Sequence, residues 1–206
     1  MAIISDYATL QTAVGDWLAR SDLSSFIPNF IQNWESDFYR DPENWASWME
    51  SALSVTITNS VAAVPDDYLG LKIGYISGQT SPPLKRISLD QLYQRYPRAV
   101  SGGQAAYVAR NGANLEFGPI PGSGTLVGTY YAKPTLIRDD SDGINFLITD
   151  CPDLCVYGSL IAAEPFVKND KRLGLWQQMY AGALQSYRKR FKEEDYSGSP
   201  PNTVVV

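Results

Sequence analysis

The sequence predicts an α+β protein in which helices from both ends of the chain form a bundle and the middle forms an antiparallel β insertion. Two observations carry this prediction. Apolar residues recur at helical spacing before position 41 and again after position 150, while the intervening stretch switches to an alternating period with dense turn residues. A third observation bounds the class: with 44% apolar and 19% charged residues over 206 positions, the chain can bury a sizeable core without disulfides or metals. The expected organisation is a single subunit. Residues 1–41 and 150–194 supply the bundle, 45–137 the β-rich insertion, and 195–206 an extended C-terminal tail.

The first helix is read from Tyr7, Leu10, Val14, Trp17 and Leu18, with Ser5 or Asp6 as its N-cap. Ser21-Asp22 interrupts it. A second helix follows, with Ile27, Phe30, Ile31, Trp34 and Phe38 on one stripe and Pro28 in its first turn. It stops before Asp41-Pro42, because the residue preceding proline is driven out of the helical region. A short link between two amphipathic helices predicts an antiparallel hairpin.

Residues 53–58 (Leu-Ser-Val-Thr-Ile-Thr) then alternate as a half-buried strand, and Pro65-Asp66-Asp67 turns the chain into a second strand over 68–76. A turn over 78–83 leads to a short extended segment, 84–88. Asp90 to Tyr96 reads as a short helix capped by Ser88 and ended by Pro97. Segments 106–110 and 114–117 flank Asn111-Gly112, a hairpin signal because both residues tolerate positive φ. Residues 124–131 form a further strand. From Pro152 the chain is helical again, apolar nearly all round as a central buried helix would be, and Glu164-Pro165 kinks or ends it. The last helix runs from about Asn169-Asp170 to Glu194, with Leu173, Trp176, Tyr180, Leu184, Tyr187 and Phe191 as its stripe.

The chain has no histidine, which removes Ser-His-Asp and Cys-His sites and the common zinc arrangements. Asp66-Asp67 and Asp139-Asp140, with Asp142 nearby, are carboxylate pairs in turn-like contexts, where Asp serves local backbone hydrogen bonding. The stretch Asp140-Ser-Asp-Gly143 lacks the remaining ligands of a calcium loop. Cys151 and Cys155 form CxxxC rather than the CxxC of a redox site and are read as buried structural thiols. The Gly- and Pro-rich segment 118–124 precedes a strand and is a connecting loop, not a phosphate cradle. The expectation is therefore a protein that is not an enzyme, with no catalytic residue, no cofactor and no metal.

The net charge of −5 offers no basic stripe for gripping nucleic acid, and no apolar run approaches the roughly 20 residues of a transmembrane helix. The start lacks the features of a signal peptide, so assembly in a cytoplasm and no membrane partner are expected. Thirteen Tyr, seven Phe and five Trp fit either a partner-rich surface or a large aromatic core. Arg188, Lys189, Arg190 and Lys192 form one dense basic cluster, read either as a complement to the helix macrodipole or as a docking surface for an acidic partner.

The ordered series of motifs resembles the head-to-tail adaptor (connector) proteins of tailed bacteriophages, similar in role to tail tubular protein A. The stretches that carry the resemblance are Phe26-Ile27 through Glu35, Trp48-Met-Glu50, Val64-Pro-Asp-Asp-Tyr-Leu69, Pro83-Leu84 with Ser88 to Pro97, and the hairpin around Asn111-Gly112. They continue with Tyr130-Tyr-Ala-Lys-Pro134, Pro152-Asp-Leu through Pro165-Phe166, and Asp170-Lys-Arg-Leu. Phe38-Tyr39-Arg40 departs from the family's usual Leu-Arg ending of the second helix. The resemblance implies a virion subunit of a dodecameric ring beneath the portal protein, extending the DNA channel and receiving the tail or nozzle protein. Genomic DNA would pass without sequence-specific contact. The basic cluster, Tyr196 and the apolar Val204, Val205 and Val206 are the expected portal or partner interface. An aromatic-rich carbohydrate- or protein-binding module of a phage tail is the alternative.

Overall fold

The structure is a computed structural model that describes residues 3–58, 60–79, 82–97, 103–167 and 170–196. It is an α+β fold with helices toward both ends of the chain. The chain divides into two compact units, one made of Met1–Trp48 and Thr135–Val206, the other of Met49–Pro134.

The first unit is helical. Helix α1 (Tyr7–Leu18) begins where Asp6 accepts from the Thr9 amide at 2.8 Å while the Thr9 hydroxyl receives the Asp6 amide at 3.0 Å, a reciprocal cap. It ends at Ala19 in the left-handed region (φ 54°). A 3-10 turn, Ser21–Phe26, leads into α2 (Ile27–Arg40), whose first turn contains Pro28. Phe30, Ile31, Trp34 and Phe38 are buried on one face of α2, as the periodicity predicts. After the second unit the chain returns through α4 (Phe146–Asp150), α5 (Pro152–Ala162), α6 (Glu164–Val167) and α7 (Leu173–Tyr196). Helix α5 is the centre of this unit, touching α1, α2 and α7. Its approach to α2 depends on Gly158, where a Cβ would fall 2.0 Å from the Trp34 indole.

Cys151 occupies the N-cap of α5, because α4 ends just before it and Pro152 starts the next helix, while Cys155 lies within α5. Helix α4 itself is not foreseen by the sequence reading; its N-cap is Asn145, whose side chain accepts from the Ile148 amide at 3.1 Å.

The second unit holds two sheets. Strands β1 (Glu50–Ile57), β7 (Gly124–Ala132) and β3 (Tyr68–Ile76) form one, in the order β1-β7-β3. Strands β2 (Val61–Ala63), β6 (Asn114–Gly118), β5 (Tyr107–Asn111) and β4 (Lys85–Arg86) form the other, in the order β2-β6-β5-β4. The Asn111–Asn114 pair closes the β5–β6 hairpin, with Gly112 at φ 60°. Leu53, Ile57, Leu71, Leu126 and Tyr130 from the first sheet and Ala62, Val108, Leu115 and Phe117 from the second share one core. Every pairing is antiparallel except β4 with β5, which is parallel because α3 (Leu89–Arg95) carries the chain back between them. Helix α3 is capped by Ser88, which accepts from the Gln91 amide at 3.2 Å.

Candidate functional site

One surface of the helical unit open to a partner is the outer side of α7. Its inner side is fixed by the buried Trp176, Tyr187 and Phe191. Tyr180 accepts the Trp34 indole N–H at 3.1 Å, and the Tyr187 hydroxyl accepts the Trp48 indole N–H at 2.9 Å while donating to the Asn44 carbonyl at 2.8 Å. Burial pushes both phenols above their ordinary value. The ring series Phe38–Tyr187–Phe191–Phe146–Trp48 continues this contact.

The outer side carries no charged residue from Gly174 to Tyr187. Leu175 is 55% exposed, and Gln177, Gln178, Ala181, Gly182, Gln185 and Ser186 are exposed with it. An exposed helix normally shows a charged face, and depletion of charge is the compositional mark of an interface centre. A groove of about 1000 Å³ runs along α7, bounded by Ala181, Leu184, Gln185, Arg188, Lys189 and Lys192, with Glu43 and Glu193 at its edge.

The predicted basic cluster divides at this groove. Arg188 is a clamp within the subunit. Its Nη2 meets Asp41 at 2.5 Å, its Nη1 meets Glu43 at 2.6 Å, and its Nε donates to the Asn44 side chain at 2.8 Å. That guanidinium ties α7 to the turn after α2. Lys189 and Arg190 form i,i+4 pairs with Glu193 and Glu194 at 3.8 and 3.7 Å, exposed contacts worth a few tenths of a kcal/mol at most. Arg190 also lies over the Phe191 ring at 5.3 Å. Lys189 and Lys192 border the groove. The macrodipole reading is corrected: α7 continues to Tyr196, so its last turn contains no base, and the cluster lies before the turn where the dipole acts. Tyr196 is the last residue of α7, and Val204, Val205 and Val206 lie outside the described residues.

The other candidates are structural. Asp66 and Asp67 occupy the turn between β2 and β3, where Asp67 accepts the Tyr130 hydroxyl at 3.0 Å. Asp140 accepts the Asp142 amide at 3.0 Å in an Asx turn, with Asp139 closing the 3-10 turn before it. No cluster of three potential metal ligands occurs among the described residues. Both cysteines are buried; burial raises the Cys151 thiol to about 11 and drives Cys155 well above its ordinary value. The indole N–H groups of Trp34, Trp45 and Trp48 are engaged internally and Trp34 and Trp176 are buried, which leaves these tryptophans poorly placed as a sugar-stacking platform. No described helix is long and apolar enough to cross a membrane.

Glu35 escaped the sequence reading. It is 1% exposed on α2 and accepts from the Tyr39 hydroxyl at 3.0 Å and the Ile137 amide at 3.0 Å, with the Asn145 side-chain amide at 3.4 Å. This carboxylate fastens the chain where it re-enters the helical unit. Its signal in the sequence is an acid on the apolar stripe of α2.

The arrangement offers interaction surface and rigid internal ties. The family model described as SU10 adaptor protein matches residues 5–205. No curated protein matches the chain. The chain thus belongs to the SU10 adaptor protein family, phage head-tail adaptors with a structural role rather than enzymes.

Proposed function

We propose that the protein is a head-to-tail adaptor that forms a ring under the portal, extends the DNA channel and attaches the tail or nozzle, in the manner of tail tubular protein A. The observation that carries this reading is the family match across residues 5–205. The uncharged stretch of α7 from Gly174 to Tyr187 supports it, as a subunit surface awaiting a partner. A closed ring, here a dodecamer, requires heterologous contacts between copies. The net charge of −5 suits a conduit that must let DNA slide, because a basic lining would bind phosphates through counterion release. In this reading Lys189 and Lys192, at the open rim of the α7 groove, face the portal together with Tyr196 and the segment beyond it. Assembly takes place in the host cytoplasm and the product resides in the virion.

Co-sedimentation with the purified portal tests the assignment. The wild-type chain is expected to travel with the portal, and Lys189→Glu combined with Lys192→Glu is expected to weaken binding at least tenfold. Undiminished binding by the double variant removes these lysines from the interface, and no binding by the wild type overturns the portal reading.

A further inference from the structure

Two exposed phenylalanines meet on the surface of the helical unit. Phe26, the N-cap of α2, is 40% exposed, and Phe166, in α6, is 47% exposed. Their ring centroids lie 5.4 Å apart, and Phe166 rests on the fully buried Phe30 at 5.0 Å. Ser24, Ser25 and Pro165, beside them in the chain, are exposed and uncharged. A single exposed ring is ordinary. Two in contact, braced from behind, form a stiff apolar knob of the kind that anchors interfaces.

The same unit carries a second groove, of about 630 Å³, which shares no lining residue with the one bordered by Lys189 and Lys192. It lies between α5 and α7, where Tyr157, Leu175, Met179, Gly182 and Ala183 line it. Among the described residues of its lining only Asp153 is charged. The Tyr157 ring stands edge-on to Trp17 at 5.7 Å, which holds that wall in place. Gly182 keeps the groove open, since nothing lies within 4 Å of the Cβ it lacks.

We propose, on the ring reading above, that Phe26 and Phe166 of one copy seat in the α5–α7 groove of the next and link the subunits head to tail. Both surfaces are largely apolar and nearly free of charge, so burying one in the other is favourable and strands no ion. An exposed ring pair and a groove are complementary to each other rather than to themselves. Contact between such unlike patches is heterologous, and it repeats from copy to copy until the ring closes. Each copy offers one knob and one groove, so a closed ring leaves neither unfilled. A portal or tail segment in the groove would leave every knob bare.

The size of the knob sets its role. An aromatic side chain buries about 150–250 Å², so the exposed parts of two rings supply on the order of 200 Å². A specific interface needs roughly 800 Å² per partner. The knob is therefore the anchor of a larger contact, too small by itself to hold subunits together at low concentration.

The test places single cysteines beside the two surfaces in separate full chains, Ser25→Cys in one and Ser186→Cys in the other, both at exposed positions. Cys151 and Cys155 are buried with raised thiols, which leaves each new cysteine as the reactive one. The two chains are mixed at high concentration, free and on the portal, and treated with a short bismaleimide. A mixed one-to-one product is expected, with little dimer from either chain alone. Phe166→Ser in the Ser25→Cys chain is expected to lower the yield by about tenfold or more, the loss typical of an aromatic anchor. Gly182→Leu in the Ser186→Cys chain fills the groove at a position with open space, and is expected to do the same. No mixed product in either setting overturns the proposal. So does dimer from either chain alone at comparable yield, or a mixed yield that neither Phe166→Ser nor Gly182→Leu lowers. If the wild-type chain does not bind the portal, the portal reading fails and the free-chain measurement decides this contact.

Discussion

Replacing Gly158 by alanine puts the packing of the helical unit to a direct test. A Cβ at this position would lie 2.0 Å from both Cδ1 and Nε1 of Trp34. Carbon contacts relax near 3.5 Å, so the indole must retreat by about 1.5 Å. It has little room to do so, because its N–H donates to Tyr180 at 3.1 Å and its ring rests on Phe38 at a centroid distance of 5.8 Å. Overpacking of this kind costs about 1–3 kcal/mol, and losing the indole hydrogen bond adds about 1 kcal/mol. Alanine recovers about 1 kcal/mol of helix propensity. The balance is a loss of about 2 kcal/mol, or a fall in Tm of roughly 4–8 °C for a chain of this size. Gly182→Ala is the internal control: nothing lies within 4 Å of its Cβ, so the same substitution in the same kind of helix is expected to be neutral or to add up to about 1 kcal/mol. Urea and thermal unfolding followed by circular dichroism measure both. Trp34→Leu should soften the effect of Gly158→Ala when the two are combined, because the obstructing ring is gone. A Gly158→Ala protein as stable as the wild type would refute the claim that α2 and α5 meet through this glycine.

Glu35→Leu leaves the Ile137 amide and the Tyr39 hydroxyl without their buried acceptor, and a loss of about 3 kcal/mol is expected in chemical denaturation; a loss under about 1 kcal/mol would show the carboxylate to be dispensable. Cys151 and Cys155 should resist a thiol reagent at pH 8 in the native state and both react in denaturant, whereas fast native modification of either would contradict their burial. Asp6, held below its ordinary 3.8 chiefly by the Thr9 amide, stabilises α1 above that pH. Its contribution disappears as pH falls through the lowered folded value, so Asp6→Asn should flatten the acid limb of a stability profile, and an unchanged limb would count against the cap. If docking on the portal templates the ring, light scattering of the isolated protein gives a subunit mass near 22.8 kDa; stable rings in the absence of portal would show that the ring closes on its own.

Much of this fold was legible because its signals are local. Asp6 and Ser88 announce helix starts through their own side chains, Pro28 sits where a first turn tolerates it, and Asn111-Gly112 fixes a hairpin within a few residues. What escaped depends on distant partners. The division into two sheets arises because β7 pairs with both β1 and β3, whose partner residues lie at least 50 positions upstream, while the three-residue β2 crosses to β6. No alternation over three residues reveals that. The parallel β4–β5 pair is equally short. The role of Glu35 is hidden from the sequence because the Ile137 amide it accepts from is 102 residues away. The candidate surface was half visible. The basic cluster is plain in the sequence, but Arg188 is committed to Asp41, Glu43 and Asn44, which only the packing of α7 against the end of α2 discloses. The charge-free run from Gly174 to Tyr187 was present all along, and reads as an exposed surface only once Trp176 and Tyr187 are seen to point the other way.

Electron microscopy of the protein mixed with its purified portal tests the central claim most directly. The account predicts a closed ring of adaptor subunits on the portal axis, with a continuous open channel and density for α7 and the segment beyond Tyr196 at the portal contact. Portal particles that remain bare across assembly conditions, or subunits bound singly without closing a ring, would contradict it.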